Sequence, residues 1–421
     1  MIDLKRLREE PEYRAGIERK RVRDGLVDDV LAADAAARAV RTQVELLRAE
    51  QNALSKQVGR ASKDERPAKI AAAGALKEQL QTQEDALAQL ELEVRALALQ
   101  VPNPADASVP DGGEDDGAVV HVVGDTPAAP ALDHAAFGEA MGWVESEQAV
   151  VMSGSRFAYL MREAVLLELA LVQWVTSKLV ADGFTPVVPP VLVREEAMEQ
   201  AGFFPTDRSQ VYEVDDDELF LVGTSEVPLS AIHRDEILAA ERLPARYLGI
   251  SSCFRREAGT YGKDTRGIFR VHQFDKVEMF SYADPATSWD EHEALLAIEE
   301  SIVGGLGLPY RVVNIAAGDL GAAAAKKYDV EVWLPSESAY RELTSCSNYL
   351  DFSARRLATR VKGADSNTGA GNQLVHTLNG TACAVGRTLV FLFEHYQDAD
   401  GGFTVPEVLR PFTGFARVEA R

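Results

Sequence analysis

Cysteine is scarce in this chain: Cys253, Cys346 and Cys383 are the only three among 421 residues. They are far apart and odd in number, so they give no disulfide framework, and a reducing cytoplasm is the expected location. No C-x-x-C or H-E-x-x-H spacing occurs, so no zinc is expected. Positive charge is also short, with 44 Lys and Arg against 66 Asp and Glu and a formal net charge of -22. A general nucleic-acid coat protein concentrates Lys and Arg, so the balance argues against that class. An enzyme that meets RNA through one local basic surface is not. Uninterrupted apolar runs are missing as well. The start, Met1 to Arg6, lacks the apolar core of a signal peptide. The most apolar helical stretch, 164–180, carries Glu168, Gln173 and Lys178, so no membrane partner is expected.

What is present suggests two domains, as the length does. Residues 1–27 read as one helix plus a turn. From Ala33 a heptad pattern runs through Ala37, Val40, Val44, Leu47, Gln51, Leu54 and Val58. A second runs through Ala73, Leu76, Leu80, Gln83, Leu87, Leu90, Val94, Leu97 and Val101. Two such helices joined by a polar turn predict an antiparallel coiled-coil arm over about residues 28–101, projecting on the order of 45–50 Å. Heptads commonly serve as oligomerisation coils or spacers. Here the tip carries Arg48, Lys56, Arg60, Lys63, Arg66 and Lys69 against Glu50, Asp64 and Glu65, a net +3 on an acidic protein, which suggests contact with a polyanion. Pro102 and Pro104 stop the second helix. The segment 105–118, with five acidic residues and none basic, reads as a linker between domains 1–104 and 119–421. The second domain mixes short strands, helices and turns without a βαβ rhythm, which predicts an α+β fold on an antiparallel sheet.

The densest chemistry lies from Cys253 to Gly259 and from Val271 to Phe280. Two alternating strands flank a loop of Gly and charge, 259–267. Alternation places Arg255 and Glu257 on one face, and His272, Phe274, Lys276 and Glu278 on one face of the return strand. Guanidinium, carboxylate and aromatic groups gathered on one surface suit the binding of a phosphate, a purine and an amine.

A long helix over 162–179, a Gly183 turn and a strand closed by Pro189 and Pro190 precede this hairpin. Gly386 and Arg387 open a helix over 388–396 after it. Together the three segments resemble the three motifs of class II aminoacyl-tRNA synthetases, and in that family the first builds a homodimer interface. Phe220 to Glu226, Phe254 to Gly259, His272 to Glu278, Glu342 to Asn348 and Leu378 to Arg387 are similar to seryl-tRNA synthetases of bacterial type. So is the N-terminal arm, which in that family grips serine tRNA.

The resemblance implies a class II catalytic sheet flanked by helices and preceded by a tRNA-binding arm. It implies ATP, L-serine and tRNA(Ser) as substrates, with tRNA(Sec) where the organism has one. Arg255, Glu278 and Arg387 would be the catalytic residues. Arg255 would clamp the α-phosphate, because a planar guanidinium bridges phosphate and carboxylate oxygens, and Arg387 would hold the γ-phosphate end and cover the adenine. Glu257 would accept from the adenine amino group. Phe274 would stack on the ring, although by itself it reads equally as a core aromatic. The ATP side further takes in Arg256, Val271, Glu342, Leu343, Thr344 and Ser345. Glu342 and Ser345 would hold Mg²⁺ between the phosphates, since this ion takes few protein ligands. By spacing alone E-x-x-S is equally a turn or capping signal. Thr224, Ser225, Glu226, Glu278, Asn379 and Thr381 would bind serine. A site whose buried polar groups expect a hydroxyl rejects analogues lacking it by roughly 10⁴. Many relatives carry Ser where Thr381 stands, which bears on the pocket's shape.

Cys253 and Cys346 read as small buried residues. His121, His134, His233, His292, His376 and His395 lack ligand spacing and read as structural. The loop 259–267, with Lys263 and Arg266, is expected to order when tRNA arrives. The activity expected is serine–tRNA ligation. The competing readings are a paralogue charging a carrier protein, which would lack the arm, an inactive RNA-binding coiled-coil protein, and another class II synthetase.

Overall fold

The computed structural model describes residues 2–259, 266–363 and 371–421. The chain divides into two compact units, one ending at Pro102 and the other beginning at Asn103.

The first unit is helical. In place of the expected single helix, residues 4–18 form two, α1 (Leu4–Glu9) and α2 (Pro11–Glu18). Asp3 caps α1 by accepting from the Lys5 and Arg6 amides, and Pro11 can open α2 because the first turn needs no amide there. Two long helices follow, α3 (Leu26–Arg60) and α4 (Arg66–Leu99). Every heptad position from Ala33 to Val58 and from Ala73 to Leu97 is buried or half-buried, as the pattern requires. Arg41 to Glu91 and Arg48 to Glu84, both at 2.7 Å, tie the two helices across their flanks. Ser62 and Glu65 close the turn by a reciprocal capping box, with Ser62 N–H donating to Glu65 and Glu65 N–H to Ser62 Oγ.

The second unit carries an eight-stranded sheet. Its strands are β1 (Ala118–Val123), β2 (Thr185–Val187), β3 (Ala245–Phe254), β4 (Gln273–Ala283), β5 (Tyr310–Asn314), β6 (Lys326–Leu334), β7 (Ala339–Asn348) and β8 (His376–Ala384). Their order across the sheet is β1-β5-β6-β7-β8-β4-β3-β2. All neighbours are antiparallel except β2 on β3. Helices α5 (Glu163–Ala181), α6 (Glu226–Ser230), α7 (Ser288–Gly305) and α8 (Val385–His395) belong to this unit. By length and apolarity α5 could cross a membrane. Leu167, Leu171, Val175 and Leu179 instead bury its inner stripe in the main core, with β4 residues Val277 and Met279 and with Leu389 of α8. The acidic segment expected as a linker is held within this unit. Asn103 and Asp106 amides donate to Ala322 and Ala325 carbonyls, and the Asn103 side chain donates to Ala323 and Tyr349 carbonyls.

Two β-bulges set the site. Opposite Asp329, Val330 and Glu331 of β6 lie Ser345, Thr344 and Glu342 of β7, so Leu343 is an inserted residue. On a regular strand residues three apart face opposite ways, and the bulge returns Glu342 and Ser345 to one side. The second bulge, at Ala382 of β8, lets Thr381 oppose Glu278 while Ala384 opposes Lys276.

Candidate active site

A pocket of about 290 Å³ in the second unit opens on the face of β4, β7 and β8 that bears these residues. One half is cationic. Arg255 lies just past the end of β3, fixed by its amide to the His272 carbonyl and by Nε to the Gly223 carbonyl. Its guanidinium carbon is 5.3 Å from the centre of the Phe274 ring, a cation–π distance. Arg387 stands in the first turn of α8 and donates to the Glu342 carbonyl at 3.1 Å and weakly to its carboxylate at 3.4 Å. Desolvation works to raise the Glu342 carboxyl, but the charges of Arg387, Lys327 and Arg255 outweigh it and hold it below the usual range. Lys327 is paired with Asp329 at 3.2 Å. Burial opposes its charge, yet Asp329, Glu342 and Asp319 raise its pKa and keep it protonated.

The other half is acidic and closed. Glu226 and Glu278 are buried, and Asn379 Nδ2 bridges them, at 3.1 Å and 3.0 Å. Glu278 also accepts from Thr381 Oγ1 at 3.3 Å and pairs with Lys276 Nζ at 2.6 Å. Burial first, and the charge of Glu278 second, push the Glu226 carboxyl up to about 8. Two carboxyl groups so close cannot both stay ionised at neutral pH without a cation between them. Such a cleft is built to take a small ammonium compound at one end and a polyphosphate at the other.

Sequence comparison agrees with that chemistry. The family model for the tRNA synthetase class II core domain (G, H, P, S and T) matches residues 210–396. The model for the seryl-tRNA synthetase N-terminal domain matches residues 1–105. The chain is 48% identical to the serine–tRNA ligase of Mycobacterium avium over 421 residues, covering 100% of this chain and 99% of that one. It is 48% identical to the Nocardia farcinica serine–tRNA ligase, covering 98% of each. The chain belongs to the seryl-tRNA synthetase family. Among solved structures, the seryl-tRNA synthetase of Pyrococcus horikoshii complexed with ATP matches it with a TM-score of 0.94 at 36% identity and full coverage of both chains. The cytoplasmic serine–tRNA ligase of Naegleria fowleri in complex with AMP gives 0.89 at 31% identity, covering 100% of this chain and 99% of that one.

Most residues singled out from the seryl-tRNA synthetase resemblance converge on this pocket. Thr224, Glu226, Arg255, Glu257, Val271 and Phe274 line it from the β3–β4 side. Glu342, Leu343, Ser345, Asn379, Thr381 and Arg387 line it from β7, β8 and α8. Glu278 lies just beneath the lining, fully buried. Glu257 reaches the pocket from a left-handed backbone, φ 48°, with its carboxylate on Arg270 at 2.8 Å.

Three expected side chains point elsewhere. Ser225 Oγ is buried and faces Gly249 of β3, where a built Cβ would meet it at 2.6 Å. Arg256 is exposed, its amide donating to the Gln210 carbonyl. Thr344 alternates away from Ser345 into the core and donates to Glu299. His272 also leaves the expected stripe: it precedes β4 and its Nδ1 meets the Arg255 carbonyl, so it supports the backbone there. Lys263 lies outside the described residues. No group of three or more His, Cys, Asp or Glu side chains able to hold a metal occurs among the described residues.

Sequence reasoning gave no site role to Lys276, Lys327, Asp207, Tyr349 or the small-residue run 321–324, all of which line the pocket. Lys276 was visible on the Phe274–Glu278 stripe. The others sit on separate strands and loops, and only the cross-strand pairing of Asp329 with Ser345 and Lys327 with Ser347 brings the β6 residues near.

Proposed function

We infer that this protein joins serine to tRNA(Ser) in two steps at this pocket. The observation that carries the reading is the adjacency, in one cleft, of the Glu226–Asn379–Glu278–Thr381 cluster and the Arg255–Arg387 wall. In the first step the serine carboxylate attacks the α-phosphorus of ATP, and pyrophosphate leaves. Both reactants are anions, so the guanidinium groups of Arg255 and Arg387 neutralise charge and hold the in-line arrangement. Glu226 and Glu278 receive the serine ammonium, while Thr381 and Asn379 offer hydroxyl-matching contacts. Phe274 and Glu257 suit the adenine ring and its amino group. In the second step the terminal ribose hydroxyl of the tRNA attacks the seryl carbonyl and AMP leaves, which requires no protein nucleophile. Glu342 and Ser345, one carboxylate and one hydroxyl on the same side of the β7 bulge, fit Mg²⁺ as ligands supplemented by phosphate oxygens. That ion would supply charge neutralisation at the phosphates. tRNA(Sec) would be accepted wherever it shares the features that the arm reads. A cytoplasmic location fits three free, buried thiols.

Serine-dependent exchange of pyrophosphate into ATP tests the activation step, with alanine, threonine, glycine and cysteine as controls. Exchange driven by another of these amino acids and not by serine would refute the assignment.

The raised Glu226 carboxyl makes a sign-specific prediction. Below about pH 8 it is largely protonated in the empty site, and an arriving ammonium favours its ionised form. Serine binding at pH 7 is therefore expected to release close to one proton. Calorimetry in two buffers of different ionisation enthalpy reads this directly. The release should fade as the pH rises past 8 and vanish in Glu226→Gln.

A homodimer fits the apolar surface left open by the second unit. Val151 is 82% exposed, Met152 66%, Leu169 60% and Val188 83%, large apolar side chains of the kind a subunit contact covers. Leu169→Glu is expected to shift the protein from dimer to monomer in sedimentation velocity. An unchanged sedimentation coefficient would count against this interface.

A further inference from the structure

Below the pocket floor a third carboxyl group, Glu299, has no part in the chemistry described so far. It projects from α7, is fully buried and forms no ion pair among the described residues. Its Oε2 accepts from Thr344 Oγ1 at 3.0 Å. Its Oε1 has no hydrogen-bond partner among the described residues and lies 3.0 Å from where a Cβ on Gly380 would stand. Gly380 separates Asn379 from Thr381, the two residues that organise Glu278. One side chain thus supports both β8, at the serine contacts, and β7, next to Ser345.

We propose that Glu299 is a positioning residue for the amino acid subsite that sets the height of the Asn379–Gly380–Thr381 segment and locks Thr344. It does so as a neutral carboxylic acid. Its neutrality follows from its surroundings. Full burial is the main cause that pushes its carboxyl up, and Glu278 and Asp329 add repulsion to a further negative charge. Uncompensated burial of a carboxylate is prohibitive, while the protonated acid costs far less. A neutral acid under β8 adds no further charge beside Glu278, which faces the ligand. The absence of a side chain at residue 380 allows the strand to settle directly onto the acid. The inference rests on the reading of Asn379, Thr381 and Glu278 as serine contacts.

Two substitutions of nearly equal volume test it. Glu299→Gln keeps the shape and the hydrogen-bonding ends of the neutral acid; Glu299→Met keeps the volume and removes them. In pyrophosphate exchange, Gln is expected to stay within about twofold of the parent in serine KM, and Met to raise serine KM about tenfold, with ATP KM within about twofold in both. Equal serine KM in parent and Met would overturn the role. An equal defect in Gln and Met would overturn the neutral state. Should Met fail to fold, Glu299→Asp, which withdraws the acid from Gly380, replaces it with the same expectation. Thr381→Ala separates this idea from the one beneath it. If Thr381→Ala leaves serine KM unchanged, the subsite reading fails; if it raises KM while Met does not, only the role of Glu299 fails.

Discussion

Arg255→Ala is expected to lower serine-dependent pyrophosphate exchange by about a thousandfold, mostly in kcat. Arg255 faces the phosphate half with its Nε already committed to the Gly223 carbonyl, which fixes the guanidinium plane and leaves the terminal nitrogens for the ligand. Phe274 beneath it limits motion further. A donor preorganised at a site of developing charge is worth about 2.7–4 kcal/mol when removed. Arg255→Lys should recover little, because one ammonium can neither span two oxygens nor bond Gly223 in the same way. Single-turnover formation of seryl-adenylate by rapid quench isolates the step. Normal adenylate formation by Arg255→Ala would rule out its phosphate role.

Removing residues 33–101 is expected to leave pyrophosphate exchange within about threefold and to reduce charging of tRNA(Ser) by at least about a thousandfold. The separation follows from the division of the chain at Pro102, since all pocket residues lie in the second unit. The tip offers Lys56, Arg60, Lys63 and Arg66 as exposed charges. Each contact with a phosphate releases counterions, so several together account for a loss of this order. Arg48 is less free to serve, being bound to Glu84 across the arm, and Lys69 is half-buried. Replacing Lys56, Arg60, Lys63 and Arg66 by alanine should raise tRNA KM and flatten its salt dependence without affecting serine or ATP KM. Charging that survives the deletion would mean the arm is not the tRNA reader.

The arm was the most legible part of the structure. Its heptads name the buried positions one by one, because a coiled coil is decided by residues three and four apart on the same helix. Its limits were less so. The heptad run starts at Ala33, whereas α3 begins at Leu26. Two helices precede α3, because Pro11 opens a fresh helix after the single residue Glu10 that follows α1. In the second unit, alternation gave the Phe274–Lys276–Glu278 stripe correctly but misplaced His272, which precedes the strand. The family resemblance also drew the side chains of Ser225, Arg256 and Thr344 into the site. Alternation sends Thr344 into the core, and the turn after β3 sends Arg256 into solvent.

By itself, the sequence determined the helical arm, the α+β class of the second unit, and nearly all the residue types that the chemistry needs. These depend on short-range periodicity and on motifs a few residues long. The tertiary structure alone decided which charges share a cavity. The bulges at Leu343 and Ala382 turn Glu342 toward Ser345 and Thr381 toward Glu278. Cross-strand pairing brings Lys327 and Asp329 alongside β7, and α7 lodges Glu299 beneath Gly380. Such placements depend on register between strands more than a hundred residues apart, as at Glu278 and Thr381, and no local pattern encodes that register.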